Sequence, residues 1–241
     1  MTKNKLLIFF PTLNEENNVT PLILELRDLY GEADFLVIDD SSTDKTVLKL
    51  QNLKLDCLEV VVRNEKSGIG SAHKDAISYA KKHNYQFLVT IDGDRTHRPV
   101  DIKLLLGQIG KYHVVVGSRF IEHGSIMNWN KVRKLLTKAG HFVTKFGLGI
   151  PYDCSSGMRA YNISKNSFVD ILNVRVDGYD FFYKSLFSFQ KQNPDKIVEV
   201  PITLLPRASG DSKLSFLKAS ISIINLIFDI LKFRFSKFVK H

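Results

Sequence analysis

The chain has 241 residues, 44% of them hydrophobic, and a formal net charge of +9. That length and apolar share suit one large α/β domain with a packed core and exclude global disorder. The positive balance favours an anionic partner: a diphosphate, an anionic membrane face or a nucleic acid. The two cysteines, Cys57 and Cys154, form neither a CxxC pair nor a metal-ligand set, which suits free thiols in a reducing compartment. No uncharged apolar run reaches the roughly 18 residues of a spanning helix.

Lys3 and Lys5 precede the apolar run Leu6–Phe10, which Pro11 stops. The run is too short for a signal-peptide core and reads as a buried first strand. After the polar loop Pro11–Asn18, Asn18 or Thr20 can cap a helix from about Pro21 to Tyr30. Residues 34–38 form a second strand that ends in Asp39 and Asp40, and a helix follows over 45–51. Residues 58–62 form a third strand, 71–83 a helix, and 87–91 a strand running into Asp92-Gly93-Asp94. Strands alternating with helices imply a parallel sheet with right-handed crossovers, whose ligands bind at the carboxyl ends of the strands. Three of those ends carry Glu15, then Asp39 and Asp40, then Asp92 and Asp94.

Asp92 and Asp94 repel one another unless a cation or a hydrogen-bond donor intervenes. An all-oxygen set with open positions suits Mg²⁺ or Mn²⁺ bridging to a substrate's phosphates. An isolated Asp-Gly-Asp is more often a solvated turn. The convergence of three acidic strand ends on one crevice favours the metal–diphosphate site. It also argues against nucleic acid, whose backbone those acids would repel.

Lys66–Ser71 lacks the third glycine of a dinucleotide fingerprint, where His73 stands, and the Gly-Lys-Ser/Thr of a P-loop. It reads as a glycine-rich lead into a helix whose N-terminal amides face the nucleotide. A helix follows Pro99 to about Gly110, and Val114–Ser118 is a buried strand with Arg119 at its end. Residues 121–150 are basic. Arg133 and Thr137 lie one helical turn apart, which makes either a phosphate clamp or a solvated face. Residues 153–161 form a polar loop entering a strand, and 197–202 a last strand. Residues 206–213 form a basic loop of the kind that closes over phosphates or simply links elements.

Along the tail, Ser215, Lys218, Ser222, Asn225, Asp229, Lys232 and Ser236 make one polar stripe on a mostly apolar helix. Such a helix lies in a membrane interface, with Lys232, Arg234, Lys237 and Lys240 on anionic headgroups, or packs on the domain, on a second subunit or on a membrane protein. The expected organisation is a catalytic domain over 1–213 and an amphipathic helical appendage over 214–241.

Taken in order, these motifs resemble the GT-A glycosyltransferases of family 2, and within them the polyprenyl-phosphate sugar synthases of the dolichyl-phosphate mannose synthase type. The matching stretches are Pro11–Glu15, Val37–Thr46, Lys66–Ala72, Asp92–Pro99, Gly117–Phe120, Asp153–Tyr161 and Val200–Leu214. The resemblance implies an inverting, metal-dependent hexosyltransferase at the cytoplasmic membrane face. It would move a sugar from a nucleotide diphospho-sugar to a polyprenyl phosphate, the alternative acceptor being a saccharide hydroxyl. It places Pro11, Thr12, Glu15, Asp39, Asp40, Lys66, Asp92, Gly93 and Ser212 around the donor, and Asp92 and Asp94 on Mg²⁺ or Mn²⁺. Arg119, Arg133 and Thr137 would clamp the acceptor phosphate, and Asp94, Arg207 and Lys213 would serve the chemistry.

Two departures stand out. Thr96 occupies the place where close relatives often carry a glutamine ligand. The Gly178–Lys184 stretch lacks the amide and the acid of the family's Gly-Tyr-x-Phe-Gln-x-Glu. A sugar hydroxyl needs a base, whereas a phosphate monoester, with a second pKa of about 6, arrives ionised. The missing acid therefore fits a phosphate acceptor, and equally an enzyme weakened by drift or a base supplied by Asp180.

Overall fold

The computed structural model describes residues 6–127, 131–165, 168–209 and 225–231. The chain runs β1 (Leu6–Thr12), α1 (Val19–Leu29), β2 (Asp34–Asp39), α2 (Thr46–Gln51), β3 (Leu58–Val62), α3 (Ile69–Lys82) and β4 (Phe87–Thr90). It continues with α4 (Ile102–Ile109), β5 (Val114–Ser118), β6 (Ser125–Ile126), α5 (Lys131–Val143), β7 (Arg159–Asn162) and α6 (Val169–Leu172). Last come α7 (Phe181–Gln192), β8 (Ile197–Pro201) and β9 (Thr203–Leu204).

Seven strands form one sheet in the order β3-β2-β1-β4-β7-β5-β8. Neighbours pair in parallel except β7, which runs antiparallel between β4 and β5. Successive side chains of a strand face opposite sides, and both sides are covered. Leu7 and Phe9 pack with α3 and α7 on one side, and Ile8 and Phe10 with α1 and α4 on the other. β1, β2 and β4 are neighbours, so the three acidic strand ends do meet at one edge.

Two expected details differ. Asn18 precedes α1, but its side chain donates to Glu15 Oε2 (2.7 Å) and to the Ser209 carbonyl (3.2 Å) rather than capping the helix. The Glu15 carbonyl already accepts the Val19 amide at 3.1 Å, and a buried carboxylate needs donors more than a satisfied amide needs a cap. The glycine-rich lead also turns inward. The Gly70 amide donates to the Asp177 carbonyl at 2.7 Å and the Ser71 amide to the same oxygen at 3.4 Å. The N-terminus of α3 is therefore spent on the chain itself and does not face a nucleotide.

The helical segment 225–231 packs onto the domain. Leu226 is buried beside α7, and the Ile230 side chain lies over Gly147 in the π-helical turn Thr144–Leu148 that follows α5. The polar stripe here bonds to the protein, although Asn225 itself stays exposed. Asn225 Nδ2 donates to Asp180 Oδ2 (2.9 Å), Tyr183 donates to Asp229 (2.8 Å), and Lys184 pairs with Asp229 (3.0 Å). Among the described residues no helix is long and apolar enough to cross a membrane.

Candidate active site

The end of β4 delivers Asp92 and Asp94 into the crevice. Gly93 between them lies against β1: a Cβ there would stand 2.7 Å from the Pro11 carbonyl oxygen. Gly157 lies equally close to Asp92, where a Cβ would meet Oδ1 at 2.6 Å. At Gly93 the obstruction is backbone, so glycine is needed there, whereas at Gly157 a side chain would push the Asp92 carboxylate aside. Three non-glycine residues of these loops, Asn14, Ser41 and Arg95, hold φ of 54°, 68° and 62°. Left-handed backbone at three adjacent strand ends is strain of the kind that collects at functional sites.

Burial pushes the Asp92 carboxyl above its usual range, and the Asp94 carboxylate adds to the rise. A third of the Asp92 side chain still meets solvent, so it stays reachable from the crevice. His97 fixes the turn from behind. Its Nδ1 accepts the Asp92 amide at 3.1 Å and so has no proton for the Asp92 carboxylate 3.5 Å away. Asp94 is oriented by Thr96, whose amide (3.0 Å) and hydroxyl (2.7 Å) both donate to Oδ1. Oδ2 faces the Arg207 guanidinium at 3.7 Å. Arg207 also pairs with the buried Glu15 carboxylate and donates to the Ser209 carbonyl at 3.1 Å. The segment leading to Arg207 is tied to the Asp92–His97 turn: His97 bridges Leu204, and the Leu205 amide donates to the Thr96 carbonyl at 2.8 Å. Arg207 thus sits as a cation over Glu15 and Asp94.

Asp39 and Asp40 are engaged within the protein. Asp39 accepts the Thr12 hydroxyl (2.6 Å), the Ser42 hydroxyl (2.6 Å) and the Ser42 amide (2.8 Å). Asp40 accepts the amides of Ser67 (2.8 Å) and Gly68 (3.0 Å) and the Arg63 guanidinium (3.0 Å). Burial alone would raise the Asp40 carboxyl, but those donors outweigh it and hold it below the usual range. Both side chains shape the floor by pinning the loops around them, and Lys66 stands exposed beside that floor.

Across the crevice, Arg119 leaves β5 and meets Asp153. Its Nε and one terminal nitrogen each lie 2.7 Å from a carboxylate oxygen, the Arg119 amide adds a third bond at 3.2 Å, and Ser155 Oγ is a further partner. Burial works against both charges, yet the pairing keeps Arg119 protonated and holds Asp153 below the usual range. The Phe120 ring stacks on His141 of α5, centroids 4.4 Å apart, and so sets that helix against the Arg119 loop. Arg133 and Thr137 lie on the same helix. Ser212 and Lys213 fall outside the described residues.

Residues 7–166 match the family described as "Glycosyl transferase family 2". This chain belongs to that family. Among its relatives, the undecaprenyl-phosphate mannosyltransferase of Micrococcus luteus is 31% identical over 214 residues, 88% of each chain. The polyprenol monophosphomannose synthase of Mycolicibacterium smegmatis is 30% identical over 218 residues, 87% of this chain and 80% of that one. Glucosyl-3-phosphoglycerate synthase from Mycobacterium tuberculosis, solved with Mn²⁺, UDP and glucosyl-3-phosphoglycerate, shares the fold. Its TM-score is 0.69 at 20% identity, over 94% of this chain and 80% of that one.

For a family 2 glycosyltransferase, several residues matter whose partners the sequence does not reveal. Asp153 holds Arg119, His97 holds the Asp92 amide, and Arg63 holds Asp40. Arg159, fully buried, ties the 153–157 loop to α7 by donating to the carbonyls of Cys154 (3.0 Å), Ser156 (3.0 Å) and Phe182 (2.7 Å) and to the Ser185 hydroxyl (2.9 Å). The signal available in the sequence was an acid or a base inside a polar loop, which does not reveal its partner.

Proposed function

We propose that this enzyme transfers one hexose, mannose, from a nucleoside diphospho-sugar to a polyprenyl phosphate at the cytoplasmic face of a membrane, with inversion. The observation that carries the donor half is the Asp92/Asp94 pair at the end of β4, with the Arg207 cation 3.7 Å from the open edge of Asp94. The acceptor and the sugar are supported by the two relatives, both named for mannose transfer to lipid phosphates.

The donor set fits a divalent ion. It is all oxygen, and the Asp94 charge works against ionisation of Asp92, a repulsion that a divalent cation would relieve. Two protein carboxylates, with diphosphate oxygens filling the rest, is a usual arrangement for Mg²⁺ or Mn²⁺. When bound, that ion supplies charge neutralisation to the departing nucleoside diphosphate. Arg207, swinging from Glu15 to the diphosphate, adds a second positive charge, and we assign Ser212 and Lys213 to the same closing loop.

Pro11, Thr12, Gly93 and Lys66 border the donor side of the crevice. Asp39 and Asp40 act there through the loops they hold. We assign Arg133 and Thr137 to the acceptor phosphate, with Arg119, braced by Asp153, adding charge. The acceptor oxygen attacks the anomeric carbon as the bond from that carbon to the diphosphate breaks. The phosphate monoester is already a dianion near neutral pH, so no side chain has to take a proton from it.

The test supplies labelled nucleotide sugars with polyprenyl phosphate in one arm and soluble saccharides in the other, followed by extraction into organic solvent. Label from a mannosyl donor in the organic phase is the expected result. Label in an aqueous saccharide, with none in lipid, overturns the acceptor assignment.

A further inference from the structure

The imidazole of His141 is held by stacking. It lies on the Phe120 ring with centroids 4.4 Å and planes 20° apart, and the same ring carries the Arg119 guanidinium 5.3 Å from its centre. Asp153 fixes Arg119 in turn. Nδ1 of His141 is enclosed in protein without a partner, while Nε2 stands outside that enclosure and makes no bond among the described residues. The backbone is secured separately, since the His141 carbonyl accepts the Thr144 hydroxyl at 2.9 Å. His141 lies four residues beyond Thr137 and eight beyond Arg133, so the three positions share one face of α5.

Burial first, then Lys145 and Arg119, hold the imidazole below its usual range, and Asp153 opposes them. The ring is therefore neutral near neutral pH and carries a single proton. On Nδ1 that proton would be buried with no acceptor, so it belongs on Nε2, at the open edge. His141 is thus a neutral N–H donor, aimed by an aromatic platform beside a buried cation.

We propose that His141 is a further residue of the acceptor site, its Nε2–H donating to a free oxygen of the polyprenyl phosphate. The contact rests on the polyprenyl phosphate reading and deepens it. A phosphate monoester brings three oxygens to be satisfied besides the one esterified to the lipid. The cations supply charge, and His141 adds a donor of fixed direction. Its neutrality matters for the reaction. An imidazolium would share its proton with the oxygen that has to attack, whereas a neutral imidazole keeps its proton and leaves the nucleophile its charge. His141 therefore binds and orients the acceptor and exchanges no proton with it.

The experiment uses the full chain and a short, water-soluble prenyl phosphate, with the matching prenol as control. His141→Phe keeps a ring on Phe120 and deletes both nitrogens. His141→Gln returns an amide N–H near the place of Nε2. The phenylalanine variant should bind the prenyl phosphate about ten-fold or more weakly by calorimetry, and its KM for that acceptor should rise to match. KM for the nucleotide sugar, kcat at saturating acceptor and melting temperature should stay at wild-type values, and glutamine should recover most of the loss. In wild type at about pH 7.5, nitrogen-resolved NMR should show the proton on Nε2, and that signal should move with the prenyl phosphate but not with the prenol. Phenylalanine binding as wild type does, a proton found on Nδ1, or no recovery by glutamine overturns the donor role. So does a loss spread equally over both substrates, which would make the ring a packing element. Wild type that binds the prenyl phosphate while the phenylalanine variant is unimpaired removes His141 alone. Wild type that binds it no better than the prenol removes the phosphate acceptor, and His141 with it.

Discussion

The Arg119 guanidinium closes two parallel 2.7 Å hydrogen bonds on the Asp153 carboxylate, and both side chains are almost wholly buried. One partner leaves β5 and the other begins the loop that passes Asp92 at Gly157, so the pair fixes the crevice wall opposite the Asp92–Asp94 turn. Removing one member strands the other charge in the interior. Asp153→Ala should therefore cost roughly 3–5 kcal/mol and lower the melting temperature by about 10 °C or more, read by calorimetry. Asp153 is held below its unfolded value, so its contribution is complete above that value, about 3.9, and is lost as pH falls through the lower folded value. The melting temperature of wild type should fall more steeply than that of Asp153→Ala as pH drops through this acid window.

Thr96 orients Asp94 through two donors to one oxygen and leaves the other oxygen to a cation. Thr96→Val keeps the amide bond and deletes the hydroxyl bond, while Thr96→Ser keeps both. A neutral hydrogen bond is worth about 0.5–1.5 kcal/mol. The valine variant should bind Mn²⁺ roughly three- to ten-fold more weakly by calorimetry, and the serine variant as wild type. Equal affinity in all three would show that Asp94 needs no such support.

Asp94→Asn should abolish turnover and leave the fold intact, because Thr96 can still donate to the amide oxygen. EDTA should have the same effect on wild type, reversed by added Mg²⁺ or Mn²⁺. Full activity in excess EDTA would remove the metal from the mechanism.

Arg133→Ala should raise KM for the lipid phosphate by about ten-fold or more and leave KM for the nucleotide sugar nearly unchanged. The bond lost is charge-assisted and worth about 1.5–3 kcal/mol. A rise confined to the donor KM would move Arg133 to the other side of the crevice.

Strands and their acidic ends were legible because continuous apolar runs over 6–10, 35–38 and 114–116 have few other readings in an alternating α/β pattern. The place of β7 was not legible. Four residues, Arg159–Asn162, carry no mark of inserting antiparallel between β4 and β5. The helix α7 went unread because Phe181, Phe182, Tyr183, Phe187 and Phe189 have strand propensity as strong as any helical period among them. The seat of the α3 amides on the Asp177 carbonyl joins positions about a hundred residues apart, which no local pattern records. In the site, acids were legible as acids. Which of them face the crevice and which, like Asp39 and Asp40, are spent on loops depends on donors such as Thr12, Arg63 and Ser67 that only the fold brings to them.

Asp177 and Asp180 stand where the family's acid is missing, and their surroundings argue against either as a base. The Asp177 carboxylate is exposed and pairs with Lys74 at 2.7 Å, while its carbonyl, not its acid, serves α3. Asp180 Oδ2 accepts from Asn225, and its Oδ1 is buried away from solvent. General-base catalysis is worth about 10²–10⁴-fold. If the nucleophile is a phosphate dianion, Asp177→Asn and Asp180→Asn should each leave single-turnover kcat within about three-fold of wild type. A fall of two orders of magnitude in the chemical step from either variant, with circular dichroism unchanged, would mean that the acceptor arrives with a proton to lose, and a hydroxyl would replace the phosphate as the nucleophile.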